Sequence, residues 1–93
     1  MYKIKHVKAI LPFSIVCEFD TGTKKILNIQ PLLENHAHLE GINLLKNKAI
    51  FEKVAVGQMG EIYWENIITT QNKQIWNYDL SPEYVFYNGI TIN

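Results

Sequence analysis

Two imidazoles one residue apart with a carboxylate two residues further on, His36-Ala37-His38-Leu39-Glu40, come nearest in this sequence to a ligand set. On an extended segment a His-x-His pair turns both rings to one side, and nitrogen and oxygen donors of this kind suit Zn²⁺ or a metal of similar preference. A complete site needs a further ligand, and His6 is the candidate that folding would have to bring in. The competing reading is a solvated loop, since His36 to Asn43 is polar and carries Gly41. Cys17, the single cysteine, would be a nucleophile if a histidine or cation lay beside it. Its phase with Phe13, Ile15 and Phe19 instead suits a small buried hydrophobe. Neither carboxylate pair reads as an acid–base couple. Asp79 and Glu83 flank a helix start where acids complement the dipole, and Glu61 and Glu65 stand about 13 Å apart by strand rise. Gly57 and Gly60 bracket a turn and open no helix, so no phosphate loop is formed. The expectation is a protein without enzymatic activity and without a cofactor.

The aromatic group Tyr63, Trp64, Trp76, Tyr78, Tyr84, Phe86 and Tyr87 is the stronger functional candidate. Trp and Tyr bury much area for little rotamer entropy and keep a polar handle, which makes them the usual anchors of protein interfaces. A small core also needs its aromatics. On alternation, however, Tyr63 and Trp64 face opposite sides of their strand, as do Trp76 and Asn77, so part of the aromatic surface should be left over. Tyr63, Trp64, Trp76 and Tyr78 are therefore the expected partner-binding residues, for a protein partner or for pairing of the chain with itself.

The elements that must carry these residues follow from the pattern. Ninety-three residues with 47% hydrophobic content make one domain with one modest core. Tyr2 to Leu11 mixes β-formers with Lys at intervals, which suits a strand near a sheet edge, and Pro12 ends it. Phe13 to Asp20 alternates cleanly, Asp20-Thr21-Gly22 turns, and Thr23 to Ile29 returns with Lys25, Leu27 and Ile29 in phase. Pro31 presets a short helix over Gln30 to Asn35. Asn47 is a plausible N-cap for a second short helix through Glu52, with Leu45 and Ala49 on one buried face. Val54 and Val56 form a strand that turns through Gln58-Met59-Gly60 into Glu61 to Trp64. Ile67 to Tyr78 reads as an extended excursion with a turn at Gln71-Asn72-Lys73. Ser81 caps a last helix with Pro82 at its first position, stopped by Asn88-Gly89, and Ile90 to Ile92 is either a frayed tail or a small added strand. The fold class is α+β: a mainly antiparallel sheet of hairpins with two or three short helices.

Charge and targeting signals exclude several classes. Nine Lys balance nine acids with no Arg, so no overall field draws the chain to nucleic acid or anionic lipid, and the bidentate reading of guanine is absent. The balance hides a gradient, since Lys3, Lys5, Lys8, Lys24 and Lys25 lie early and Glu61, Glu65, Asp79 and Glu83 late; pairing across neighbouring strands would absorb it. Lys3, Lys5 and Lys8 before Ala9 to Cys17 superficially copy a secretory signal, but Pro12 interrupts the apolar run and the segment continues into a hairpin. No apolar run approaches membrane length. A cytoplasmic location is the expectation.

The order of these pieces carries a resemblance. A strand, a hairpin through Phe19-Asp20-Thr21-Gly22, a Pro31-Leu32-Leu33 turn, a helix ending in Phe51, a Val54-Ala55-Val56 strand, an aromatic strand ending in Tyr63-Trp64, and Asp79-Leu80-Ser81-Pro82-Glu83 together resemble the bacterial domain of unknown function 2442 family. The likeness spans most of the chain and gives Gly22, Asp79, Ser81 and Pro82 structural roles. Glu65 to Tyr78 departs from it as an insertion, which leaves open whether Trp64 or Trp76 holds the family position. The resemblance implies a small protein often encoded beside one of the domain of unknown function 4160 type, an arrangement like a toxin and antitoxin pair. It therefore implies a non-enzymatic, antitoxin-like partner of an adjacent small protein, whereas the residues by themselves also leave open a metal- or small-ligand-binding protein using His36 and His38.

Overall fold

Seven strands form two antiparallel sheets, with three short helices and a 3-10 turn filling the connections, in a computed structural model that describes residues 1–93. The first sheet has the order β1 (Ile4–Ile10), β2 (Ser14–Phe19), β3 (Lys24–Asn28), β7 (Ile90–Thr91), and the second β4 (Ala55–Val56), β5 (Ile62–Thr69), β6 (Ile75–Leu80). The helices are α1 (Gln30–Asn35), α2 (Lys48–Phe51) and α3 (Pro82–Asn88). This is a small α+β domain.

The first hairpin follows its alternation. Ile15, Cys17 and Phe19 are buried, while Val16 and Glu18 lie on the opposite face, with Cys17 opposite Val7 on β1 and Lys25 on β3. Gly22 takes a left-handed φ of +92° in the turn. The chain end is fixed to this hairpin and is not frayed: Ile90 pairs with Ile26, the Ile92 N–H donates to the Lys24 carbonyl at 3.0 Å, and Asn93 bonds both Lys24 and Gly22. Of the charge gradient only Lys5 and Glu18 form an ion pair, at 3.5 Å. Lys3, Lys8 and Lys24 stay exposed, and the Lys25 ammonium lies 4.5 Å from the centre of the Phe86 ring, so none of them meets the late acids.

Three local expectations are corrected. Ala49 is exposed; the buried face of the 42–51 region is made by Ile42, Leu45 and Phe51, because Ile42–Lys46 winds as a 3-10 turn with a three-residue repeat before α2 begins. Asp79 does not flank a helix start. It lies within β6, opposite Tyr63, and Glu83 alone supplies acid to the first turn of α3. Alternation also fails in the middle of β5. Trp64 pairs with Tyr78 and Ile68 with Trp76, so β5 spends two more residues than β6 between these pairs, and the bulge lets both Ile67 and Ile68 turn inward. Asn66 enters the left-handed region at φ +57°, and its N–H is taken by the Asn77 side-chain oxygen at 3.1 Å.

One hydrophobic cluster draws on both sheets and on the helices, and Trp64, Phe19 and Phe51 are its largest fully buried members. The sheets meet at the start of β1, where the Ile4 N–H donates to the Gly60 carbonyl at 3.0 Å. Ser81 accepts from the Tyr84 N–H at 3.0 Å and Pro82 follows at the first helical position, so α3 begins where its sequence says it should. Ser81→Ala should lower unfolding free energy by about 1 kcal/mol, read from urea midpoints at an unchanged slope.

Candidate functional site

The distal end of the β5–β6 hairpin, beyond buried Ile67 and Ile68, meets the segment that follows α1. The Thr69 N–H donates to the Glu40 carbonyl at 3.0 Å, which ties the turn at residues 38–41 to the side of β5 beyond the end of β4. Gly41 makes this approach possible. Its φ is +100°, and a Cβ there would strike the carbonyl oxygen of Ile67. Between this segment and the hairpin lies a groove of about 770 Å³, in the size range of small-ligand and peptide sites. Ile68, Trp76 and Tyr78 line it from the hairpin, His38 and Glu40 from the loop, and Lys73 from the turn.

The four expected aromatic residues divide. Trp64 is 1% exposed, stacked on Phe51 with ring centroids 5.5 Å apart, and its indole N–H donates to the Phe51 carbonyl at 2.9 Å. Tyr78 is 6% exposed and shares a 2.7 Å hydrogen bond with His36 Nδ1. Both are core, a correction to their expected place in a partner surface; they sit on the inward face of their strands, where the bulky rings complete the cluster. Tyr63 is half-buried on the other face of β5. Trp76 is 59% exposed, although it shares its strand face with buried Tyr78, because it stands on the outer edge strand while Ile68 opposite it is the last residue to pack in the cluster. Ile75 beside it is 54% exposed.

The histidines take separate places. His36 spends Nδ1 on the Tyr78 hydroxyl, which ties α1 to β6, and the ring centroids of His36 and His38 lie 6.2 Å apart. His6 lies on β1 opposite Glu18, so it is not the further ligand, and no group of three or more His, Cys, Asp or Glu side chains is placed to hold a metal ion. Glu61 is occupied closing its turn, accepting from the Met59 N–H at 3.0 Å. Burial pushes the Cys17 thiol up to about 12, the opposite of what a nucleophile needs. Burial, reinforced by the charges of Tyr84 and Asp79, likewise raises the Tyr78 phenol to about 12.

The sequence reading missed the backbone of β6. The Thr70 N–H donates to the Gln74 carbonyl at 2.8 Å, which fixes the phase of this end of the ladder. Gln74, Trp76, Tyr78 and Leu80 therefore turn their peptide groups toward β5, and Ile75, Asn77 and Asp79 turn theirs outward. No strand lies on that side. A sequence signal for this exists in what Ile75 to Leu80 lacks, since it carries no Lys and no Pro, unlike Ile4 to Ile10 with Lys5 and Lys8. No protein-family model, curated protein or solved structure matches the chain. No helix is long and apolar enough to cross a membrane.

The two tryptophans should respond oppositely to truncation. In dilute solution Trp64→Ala should cost about 3–5 kcal/mol of unfolding free energy, and Trp76→Ala less than about 0.5 kcal/mol, both measured by urea denaturation.

Cys17 and Tyr78 set a pH dependence. Each keeps its proton to higher pH in the folded chain than in the unfolded one. Their contribution is therefore full below the unfolded values, about 8.5 for a thiol and about 10 for a phenol, and is lost as pH rises toward the folded values. The urea midpoint should be level between about pH 7 and pH 8 and fall by about pH 10.5. Cys17→Ala should remove the early part of that fall.

Proposed function

We propose that this chain is a non-enzymatic protein-binding module that accepts an extended segment along the open edge of β6, with Trp76 as its apolar anchor. The observation that carries the reading is the coincidence of three outward peptide units, at Ile75, Asn77 and Asp79, with the exposed side chains of Ile75 and Trp76. Free edges invite pairing, and folded proteins protect the ones they do not use. The other long edge, β1, carries Lys5, His6 and Lys8 and a register irregularity between Ile4 and His6. The edge at β4 is two residues long and is packed by β1. β7 is equally short. β6 alone is long, uncharged over Ile75 to Tyr78 and backed by a groove. Strand addition supplies affinity through the main chain and specificity through the pocket beside it.

The resemblance to the domain of unknown function 2442 family supports the same class. On that footing the protein acts in the cytoplasm as an antitoxin-like partner of the small protein encoded beside it. Co-expression with the adjacent gene product tests this: the two should co-purify, and Trp76→Ala should weaken binding at least about tenfold, the effect of losing about 1.4 kcal/mol at an interface anchor. An adjacent product that is harmless without this chain and never co-purifies with it would remove the reading.

A further inference from the structure

The edge of β6 is also matched to itself. We infer that, in the chain on its own, the edge is filled by β6 of a second copy, antiparallel about a two-fold axis at Asn77, so that two three-stranded sheets become one of six strands. The inference rests on the reading of β6 as a pairing edge and names its occupant.

The register follows from the phase of the ladder. Only Ile75, Asn77 and Asp79 offer outward peptide groups. An axis at Asn77 sets Asn77 opposite Asn77 of the second copy and Ile75 opposite its Asp79, which uses all three residues of each chain. Each such pair exchanges two bonds, about six across the interface. An axis at Trp76 would leave Asp79 opposite Lys73, whose φ of +65° in the turn takes it out of the strand.

Side chains agree with this register on both faces. On the outer face Asp79 meets Ile75 of the second copy and no like charge. The relation occurs twice by symmetry. On the inner face Trp76 of the second copy stands opposite Tyr78, and the groove of about 770 Å³ that includes Tyr78, Trp76 and His38 has room for an indole. One occupant thus covers the open peptide groups and the exposed tryptophan together. With nine Lys against nine acidic residues, no net charge holds two copies apart.

Ile75→Pro isolates the effect, because the N–H it removes points outward and takes no part in the β5–β6 ladder. Trp76→Lys is the second variant, with a charge where the indole should be buried. Sedimentation of the full chain from about 1 to 500 μM should show the 10.8 kDa monomer giving way to a species of twice that mass. Each variant should raise the dissociation constant at least tenfold while circular dichroism and the unfolding slope stay those of the parent monomer. A parent that remains monomeric throughout overturns the inference, as does a folded variant that dimerises with parent affinity. If the parent is monomeric yet Ile75→Pro abolishes capture of the adjacent gene product, the second copy is refuted and the pairing edge stands. If the chain dimerises through β6 and captures nothing else, the inference stands and the antitoxin-like reading falls.

Discussion

The indole of Trp64 is the interaction on which the rest of this domain depends. Burying a side chain of that size supplies on the order of 5 kcal/mol of transfer free energy, comparable with the net stability of a small domain. It does so only because its one polar atom is satisfied: the N–H reaches the carbonyl of Phe51, the last residue of α2, and an unmet donor there would cost about 1–3 kcal/mol. The same ring stacks on Phe51 and lies 6.1 Å from Tyr78, so one side chain joins the helical connection, β5 and β6. Tyr78 passes the constraint on through its hydroxyl to His36 at the end of α1. A strand, a strand and two helices are thereby held in register by two rings, each with its polar atom paired.

The bulge in β5 is what separates the core half of the β5–β6 hairpin from its distal end. On the near side Trp64 and Tyr78 face the cluster; on the far side Ile68 is the last inward residue, and Trp76 across from it stands exposed on the outer edge strand. Two added residues in β5 are accommodated by one left-handed asparagine and one side-chain bond from Asn77. The loop after α1 then binds the free side of β5 through Glu40 and Thr69, which only a glycine at position 41 permits. The groove results from these two events, and Glu40, Thr69 and Asn77, which make the bonds, also line it.

Much of this was legible locally. The alternation from Phe13 to Phe19, the turn at Gly22, the caps at Asn47 and Ser81 and the proline starts of two helices all act over a few residues, so they read the same in the sequence as in the fold. Ala49 and Ile67 did not, because a 3-10 turn and a bulge each change the repeat that periodicity assumes. The candidate site was legible in composition and misassigned in detail. Trp64, Tyr78 and Trp76 are of similar type and all lie on strands, yet two are core and one is surface; nothing within a strand says how far the core extends beneath it.

By itself, then, the sequence determined which segments become strands and helices and which faces of the first hairpin turn inward, since those depend on neighbours along the chain. Tertiary structure alone decided that His36 is spent on Tyr78, that His6 is on another sheet, and that β6 is an unprotected edge. Each of those is a relation between residues tens of positions apart, fixed by packing around Trp64, and hydrogen-bond phase at an edge exists only once the strand on its other side is in place.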